Sequence, residues 1–288
     1  MAEPLRWCLL NGEQLPLADA RISPLDRSFL FGDGIYEVMP VYGGRLFRLQ
    51  SHLDRLARSA AAIQLTNPHS DSEWRSMLEQ LIVANGGGDQ YIYLHLSRGA
   101  EFGRNHAPLP QIPPTVFVYG SPWPQPAEKT LREGLACITT ADTRWARCDI
   151  KSVSLLANVL LRQLAVDAGA NEAILLRNGE LTEGSASTVH VVRDGVLLTP
   201  LNSSRILPGT SRSVVEELAA ALGIAHRSAQ ISEAQLRSAD EIWLAAATRE
   251  VQPVTRLNGA PVGTGMPGPV WRRVYDAWQQ LKRDPARF

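Results

Sequence analysis

Two rhythms of apolar residues alternate over the first 120 positions. Period-two segments at 6–10 and 14–17 flank Asn11-Gly12, and segments at 35–42 and 45–49 flank Gly43-Gly44. Strand, two-residue turn and strand is the signature of a tight hairpin, so two hairpins are expected. A 3.6-residue rhythm follows. Ser51 is placed as an N-cap with Asp54 three residues on, ahead of a stripe of Leu53, Leu56, Ala57, Ala60 and Ile63. A second helix over 72–84 would bury Trp74, Met77, Leu78, Leu81 and Ile82 and stop at Gly86-Gly87-Gly88. Strands at 91–97 and 115–119 are joined by a long loop carrying Arg98, Arg104 and His106, and loops of that length are commonly functional.

Residues 120–128, GSPWPQPAE, hold three prolines in nine positions, which stops strand and helix alike and marks a boundary. Beyond it the pattern gives a strand at 135–140, a helix after residue 154, and hairpins turning at Asn178-Gly179 and Asp194-Gly195. A helix at 211–222, strands at 241–246 and 251–257, and a closing amphipathic helix at 269–282 complete it. Hairpins with interspersed helices predict an α+β or mixed α/β protein rather than a doubly wound parallel sheet. The expected organisation is a smaller N-terminal α/β domain (1–120), a linker (121–130) and a larger C-terminal α/β domain (131–288).

Formal net charge is zero, which removes the electrostatic reason to expect nucleic acid or an anionic membrane and leaves small molecules and protein partners. No apolar run approaches the ~18 residues of a membrane span. The N-terminus shows no charged leader followed by an apolar segment, so a cytoplasmic location is expected. Cys8, Cys137 and Cys148 lack metal-ligand spacing and read as structural thiols, and the six histidines show no HExxH pattern, so no metal site is expected. Neither GxSxG nor a Walker loop occurs. Gly263-Thr264-Gly265-Met266-Pro267-Gly268 matches the dinucleotide pattern GxGxxG, but too little chain follows to complete a βαβ unit.

Candidate chemistry starts from lysine, of which there are only three among 29 basic residues: Lys129, Lys151 and Lys282. Lys151 precedes an apolar face of Leu155, Leu156, Val159, Leu160 and Leu164. Burial there would desolvate the amine and make it nucleophilic, while a lysine snorkelling from a helix N-terminus fits the local pattern equally well. Glu183 sits in a strand of otherwise small and apolar residues, where it either meets a cation or ends an exposed strand. Arg55, near the start of its helix, is unfavourably placed for a cation unless an anion meets it. Gly209-Thr210-Ser211 opens a helix whose free N–H groups suit a phosphate, or which caps itself.

Five ordered motifs span nearly the whole chain: SPLDRSFLFGDGIYE at 23–37, HLDRL at 52–56, RCDIKS at 147–152, GANEAILLRNGELTEGSASTV at 169–189 and ILPGTSR at 206–212. Together they resemble the class IV aminotransferases, the pyridoxal 5'-phosphate enzymes of fold type IV, and within them most closely the D-amino-acid transaminases. The resemblance implies a two-domain homodimer in which Lys151 holds the cofactor as an internal Schiff base and moves the substrate proton. It also implies that Glu183 pairs with the pyridine nitrogen, while Arg55, Thr210 and Ser211 bind the phosphate. Tyr36, Arg104 and His106 match the substrate-carboxylate trap, the Arg-x-His loop reaching into the neighbouring subunit's site. Residues i and i+2 of an extended loop point the same way, so Arg104 and His106 can converge on one anion.

The implied reaction is a ping-pong transfer from a D-amino acid such as D-alanine or D-glutamate to a 2-oxo acid such as 2-oxoglutarate or pyruvate. Branched-chain L-amino-acid transaminases, R-amine transaminases and aminodeoxychorismate lyase share the fold and stand as alternatives; a cofactor-free binding protein is the alternative from another class. One departure stands out. Ala247 occupies the position where the family usually offers a phosphate-contacting threonine, with Thr248 adjacent.

Overall fold

The computed structural model describes residues 3–124 and 127–284. The chain divides into two compact units: residues up to Pro124 with Ile150–Ser154 and Asp284, and residues from Ala127 to Asp149 with Leu155–Arg283.

The first unit is built on a six-stranded antiparallel sheet. It begins with the hairpin β1 (Trp7–Leu10) and β2 (Glu13–Pro16), whose turn residues Asn11 and Gly12 both have positive φ. A short helix α1 (Arg27–Phe31) leads into β3 (Gly34–Tyr42) and β4 (Arg45–Leu46), again through a turn with positive φ at Gly43 and Gly44. Helices α2 (Leu49–Ala62) and α3 (Asp71–Ala84) follow, then β5 (Gln90–Ser97) and β6 (Thr115–Pro122). The spatial order is β2-β1-β6-β5-β3-β4. Alternation decides its faces: Ile35, Met39, Ile92, Leu94, Leu96, Val116 and Val118 enter a core with Leu53, Leu56, Trp74, Leu78 and Leu81 from α2 and α3. Ser70 and Glu73 form a reciprocal capping box that starts α3.

The second unit holds a nine-stranded mixed sheet. Its elements run α4 (Glu128–Glu133), β7 (Leu135–Ala141), α5 (Leu156–Asp167), β8 (Glu172–Arg177), β9 (Glu180–Gly184), β10 (Thr188–Arg193) and β11 (Val196–Pro200). They continue as α6 (Thr210–Ala221), β12 (His226–Ala229), α7 (Glu233–Arg237), β13 (Glu241–Ala246), β14 (Glu250–Leu257), β15 (Ala260–Pro261) and α8 (Pro269–Leu281). The order β12-β11-β10-β13-β14-β7-β8-β9 contains parallel pairs at β11/β12, β7/β14 and β7/β8 and antiparallel pairs elsewhere, with β15 against β14. The fold is mixed α/β. All three cysteine side chains are buried and unpaired.

Several local expectations are corrected. Helix α2 starts at Leu49 behind Arg48, which has the left-handed φ of 57°, so Ser51 lies inside the helix and does not cap it. The buried face of α2 is also more polar than the apolar stripe predicts: His52, Arg55 and Ser59 are buried while Ala57 is exposed. Strand β6 runs into the proline-rich stretch and ends at Pro122, opposite Gln90, a strand end where a missing N–H is tolerated. Residues 125 and 126 of the expected linker lie outside the described residues.

The largest difference concerns Lys151. Residues 150–154 do not lead the α5 helix as an N-terminal turn. They lie against β3, where Tyr36 N–H donates to Lys151 C=O at 3.0 Å and Val153 N–H to Gly34 C=O at 3.0 Å, with Ile150 in the first unit's core. The lysine therefore belongs to the first unit, not to the unit that follows the boundary. The apolar face expected to bury it is open on α5, with Leu156 72%, Val159 60% and Leu160 59% accessible, while Leu161 and Ala165 pack inward.

Candidate active site

In the first unit the alternation of β3 sends Ile35, Glu37, Met39 and Val41 towards the helices, so a carboxylate enters an apolar core. Such a group needs partners. Arg55 supplies them on the buried face of α2, donating from Nε to Glu37 Oε1 and from Nη2 to Oε2, both at 2.7 Å. His52, three residues earlier and on the same face, places Nδ1 2.7 Å from Oε2. Burial pushes the Glu37 carboxyl up, but Arg55's charge and the hydrogen bonds from Arg55 and His52 overcome it and hold the group well below the carboxylate range. Burial moves His52 the other way, lowering its pKa against the opposing pull of Glu37.

The opposite face of β3 carries Tyr36. Antiparallel register puts it across from His95 of β5, beside Tyr93, whose ring stacks on Tyr36 at 5.7 Å. Lys151 Nζ stands 4.1 Å from the centre of the Tyr36 ring, a cation–π contact, and the Lys151 N–H donates to Ser59 Oγ at 3.3 Å. The amine and the tyrosine picked out from sequence are thus neighbours.

Arg104 and His106 both pack on Phe31, with the Arg104 guanidinium 5.2 Å and the His106 ring 5.4 Å from its centre. The two loop residues are brought together. Among the described residues no hydrogen bond, ion pair or ring contact joins either of them to Tyr36.

In the second unit Glu183 on β9 is buried. Arg144 forms an ion pair with its Oε1, and Leu207 N–H donates to Oε2 at 3.2 Å. Arg144 also makes a fork on Asp142, Nε to Oδ1 at 2.9 Å and Nη2 to Oδ2 at 2.8 Å, and Thr182 Oγ1 donates to Asp142 at 2.9 Å. Burial pushes the Glu183 carboxyl up, and the Arg144 charge opposes the shift without cancelling it. A carboxylate in that state favours a further cationic donor, and it retains lone pairs to receive one.

Leu207 leads directly into Gly209-Thr210-Ser211, so Glu183 stands beside the start of α6. That helix has no side-chain cap and no acidic residue in its first turn, and Ser211 is buried. Its first N–H groups and positive dipole end suit an anion. A Cβ added at Gly209 would lie 2.8 Å from Thr188 Oγ1, so the approach is built for a bare backbone. The GxGxxG stretch offers no such site. Glu241 already caps α8, accepting from Val270 N–H at 2.9 Å and Trp271 N–H at 2.8 Å. Ala247 and Thr248 occupy the turn linking β13 to β14.

Sequence reasoning missed Glu37, His52, Asp142 and Arg144. A trace of Glu37 was available, since a glutamate at an inward position between Ile35 and Met39 demands a buried cation, and the HLDRL segment offers one. Asp142 and Arg144 lie in a loop without periodicity, and only the tertiary fold brings them to Glu183.

The family model "Amino-transferase class IV" matches residues 34–257. The D-alanine aminotransferase of Bacillus licheniformis is 38% identical over 271 residues, covering 94% of this chain and 95% of that protein. Among solved structures, the branched-chain amino acid aminotransferase of Escherichia coli superposes with a TM-score of 0.92 at 27% identity, over 96% of this chain and 94% of that one. A second branched-chain amino acid aminotransferase, that of T.th. with pyridoxamine 5'-phosphate, gives 0.91 at 28% identity, over 98% and 96%. With the family model spanning most of the chain and the relatives nearly all of it, this protein belongs to the class IV aminotransferases.

Proposed function

We propose that the protein is a D-amino-acid transaminase that passes the amino group of a D-amino acid of the D-alanine or D-glutamate type to 2-oxoglutarate or pyruvate by a ping-pong route. The observation that carries the reading is Lys151 Nζ held over the Tyr36 ring, an amine beside a residue of the expected carboxylate trap. The 38% identity to a D-alanine aminotransferase over almost the full chain supports the same stereochemistry.

Pyridoxal 5'-phosphate, the cofactor of this family, supplies an electron sink for the substrate's Cα–H bond when bound. The residues present fit it. The uncapped start of α6, with Thr210 and Ser211, would bind the phosphate; the resemblance gives the same role to Arg55, whose guanidinium plane Glu37 fixes. Glu183 would accept a hydrogen bond from the protonated ring nitrogen, the second cationic donor that its buried carboxylate favours. Lys151 Nζ would hold the cofactor and then move the proton released from the substrate Cα. Tyr36, Arg104 and His106 would bind the substrate carboxylate.

A homodimer completes this reading. Leu156, Val159 and Leu160 present an open apolar face on α5, the kind of surface that a second subunit covers. A cytoplasmic location is part of the same proposal; among the described residues no helix is long and apolar enough to cross a membrane.

The test is amino transfer to 2-oxoglutarate from D-alanine, L-alanine and L-leucine. Preference for D-alanine is expected. Preference for L-leucine would select the branched-chain reading, which the backbone likeness to the two branched-chain enzymes keeps in view. Replacement Lys151→Ala is expected to abolish turnover with the chain still folded, and wild-type rates in that variant would refute the role given to the amine.

A further inference from the structure

We propose that Arg27 is a positioning residue of the substrate-carboxylate trap, a buried clamp that fixes the Arg104–His106 loop by its backbone; the inference rests on the carboxylate-binding role given to that loop above. Arg27 lies at the first position of α1, inside the SPLDRSFLFGDGIYE segment, and is 3% accessible, while residues 102–111 are exposed. An exposed segment of that length has no core of its own to hold it in one conformation.

The guanidinium supplies what the loop lacks. Nη1 donates to the Asn105 carbonyl at 2.7 Å and Nη2 to the His106 carbonyl at 2.9 Å, two successive peptide groups between and beneath the trap side chains. Its planar fork makes such a two-point contact directional. The other edge is spoken for. Nε donates to Asp33 Oδ2 at 2.8 Å, and Nη1 forms an ion pair with Glu101.

Both carboxylates are themselves tied down. Asp33 accepts from Arg98 Nε at 2.8 Å, and Arg98 donates to the Ile63 and Gln64 carbonyls; Glu101 accepts from Leu109 N–H at 3.0 Å, beyond the trap. The loop is therefore gripped on each side of Arg104–His106. Phe31, one turn along α1, adds a surface: the Arg27 guanidinium lies 4.8 Å from its ring centre, and Arg104 and His106 pack on the same ring.

This arrangement assigns a consequence specific to carboxylates. Loosening the clamp leaves Lys151, Glu183 and the phosphate donors untouched and lets the Arg104 and His106 side chains wander from the geometry that converges on one anion. KM for a D-amino acid should rise more than kcat falls. Propionate, which offers the carboxylate without the amine, should bind the holoenzyme correspondingly less well.

The experiment compares wild type, Arg27→Lys, Arg104→Ala and the double variant, all as holoenzyme. Lysine keeps the charge facing Asp33 and Glu101 and loses the fork. Expected for Arg27→Lys is a rise of about tenfold or more in KM for D-alanine and in the inhibition constant of propionate, with unchanged cofactor content. In the Arg104→Ala background the same change should add a clearly smaller factor than in wild type, because of the two side chains it positions only His106 remains. Full additivity of the two losses, or a fall in kcat with KM and the propionate constant unmoved, overturns the clamp. An Arg104→Ala variant with wild-type KM overturns instead the carboxylate role of the loop. Should Arg27→Lys fail to fold, Glu101→Gln, which keeps Arg27 and Asp33 and weakens one grip, is expected to raise both constants in the same direction by a smaller factor, and no rise there counts against the proposal.

Discussion

Arg55 and Glu37 face each other in a two-point ion pair, Nε to Oε1 and Nη2 to Oε2 at 2.7 Å, with both side chains almost wholly removed from solvent. The pair explains why a cation tolerates the first half of α2, where the helix dipole opposes it. It also holds the guanidinium in one plane.

Removing the acid alone should therefore be costly. Glu37→Gln leaves Arg55 buried without its counter-charge and is expected to destabilise by about 3–5 kcal/mol, read from denaturant unfolding at neutral pH. The folded carboxyl is held below its ordinary value, so its stabilisation is complete above the unfolded pKa of about 4.3 and declines as pH falls below that, by up to ~1.4 kcal/mol per pH unit. The gap between wild type and Glu37→Gln should thus narrow on acidification. A gap that is constant from neutral pH to about pH 3 would contradict the assignment.

Arg144 bridges Asp142 and Glu183, and its loss leaves Glu183 buried without an ion pair and Asp142 with Arg177 alone. Arg144→Met is expected to lower stability by about 3–5 kcal/mol and to weaken cofactor binding, since Glu183 is no longer oriented. Unfolding curves and cofactor titration check the two halves separately. Tight cofactor binding in a destabilised variant would show that Arg144 serves the fold alone.

The resemblance sets Ala247, which has no hydroxyl, where the family usually has a threonine. Ala247→Thr should tighten cofactor binding by about 1 kcal/mol, the worth of one neutral hydrogen bond, or roughly fivefold in Kd. The measurement is equilibrium dialysis of the cofactor from wild type and variant. An unchanged constant would mean that the β13–β14 turn does not face the phosphate at this position.

The open α5 face is the support for a dimer. Leu160→Glu places a charge in it and should shift the protein towards monomer in light scattering at micromolar concentration, with little change in the secondary structure of either unit. A dimer of wild-type strength would move the interface elsewhere.

The strands, hairpins and most helices are legible in the sequence because turn chemistry and period are local. Asn11-Gly12, Gly43-Gly44, Asn178-Gly179 and Asp194-Gly195 all close hairpins, as backbones with positive φ at those positions require. The ordered motifs likewise single out Lys151, Glu183, Arg55 and the start of α6 before any contact is known.

Only the tertiary structure decided what those residues meet. Lys151 follows the boundary in sequence yet joins the first unit, because its backbone pairs with β3 and Ile150 fills that unit's core. Arg55 finds Glu37 across the helix–sheet layer, Arg144 finds Glu183 from an aperiodic loop, and Arg27 reaches the carbonyls of Asn105 and His106 nearly eighty residues away. An apolar face next to a lysine reads as buried in one dimension, and on α5 it is open. Periodicity reports which side of an element is apolar; what covers that side depends on contacts between segments far apart in the chain, which no local pattern encodes.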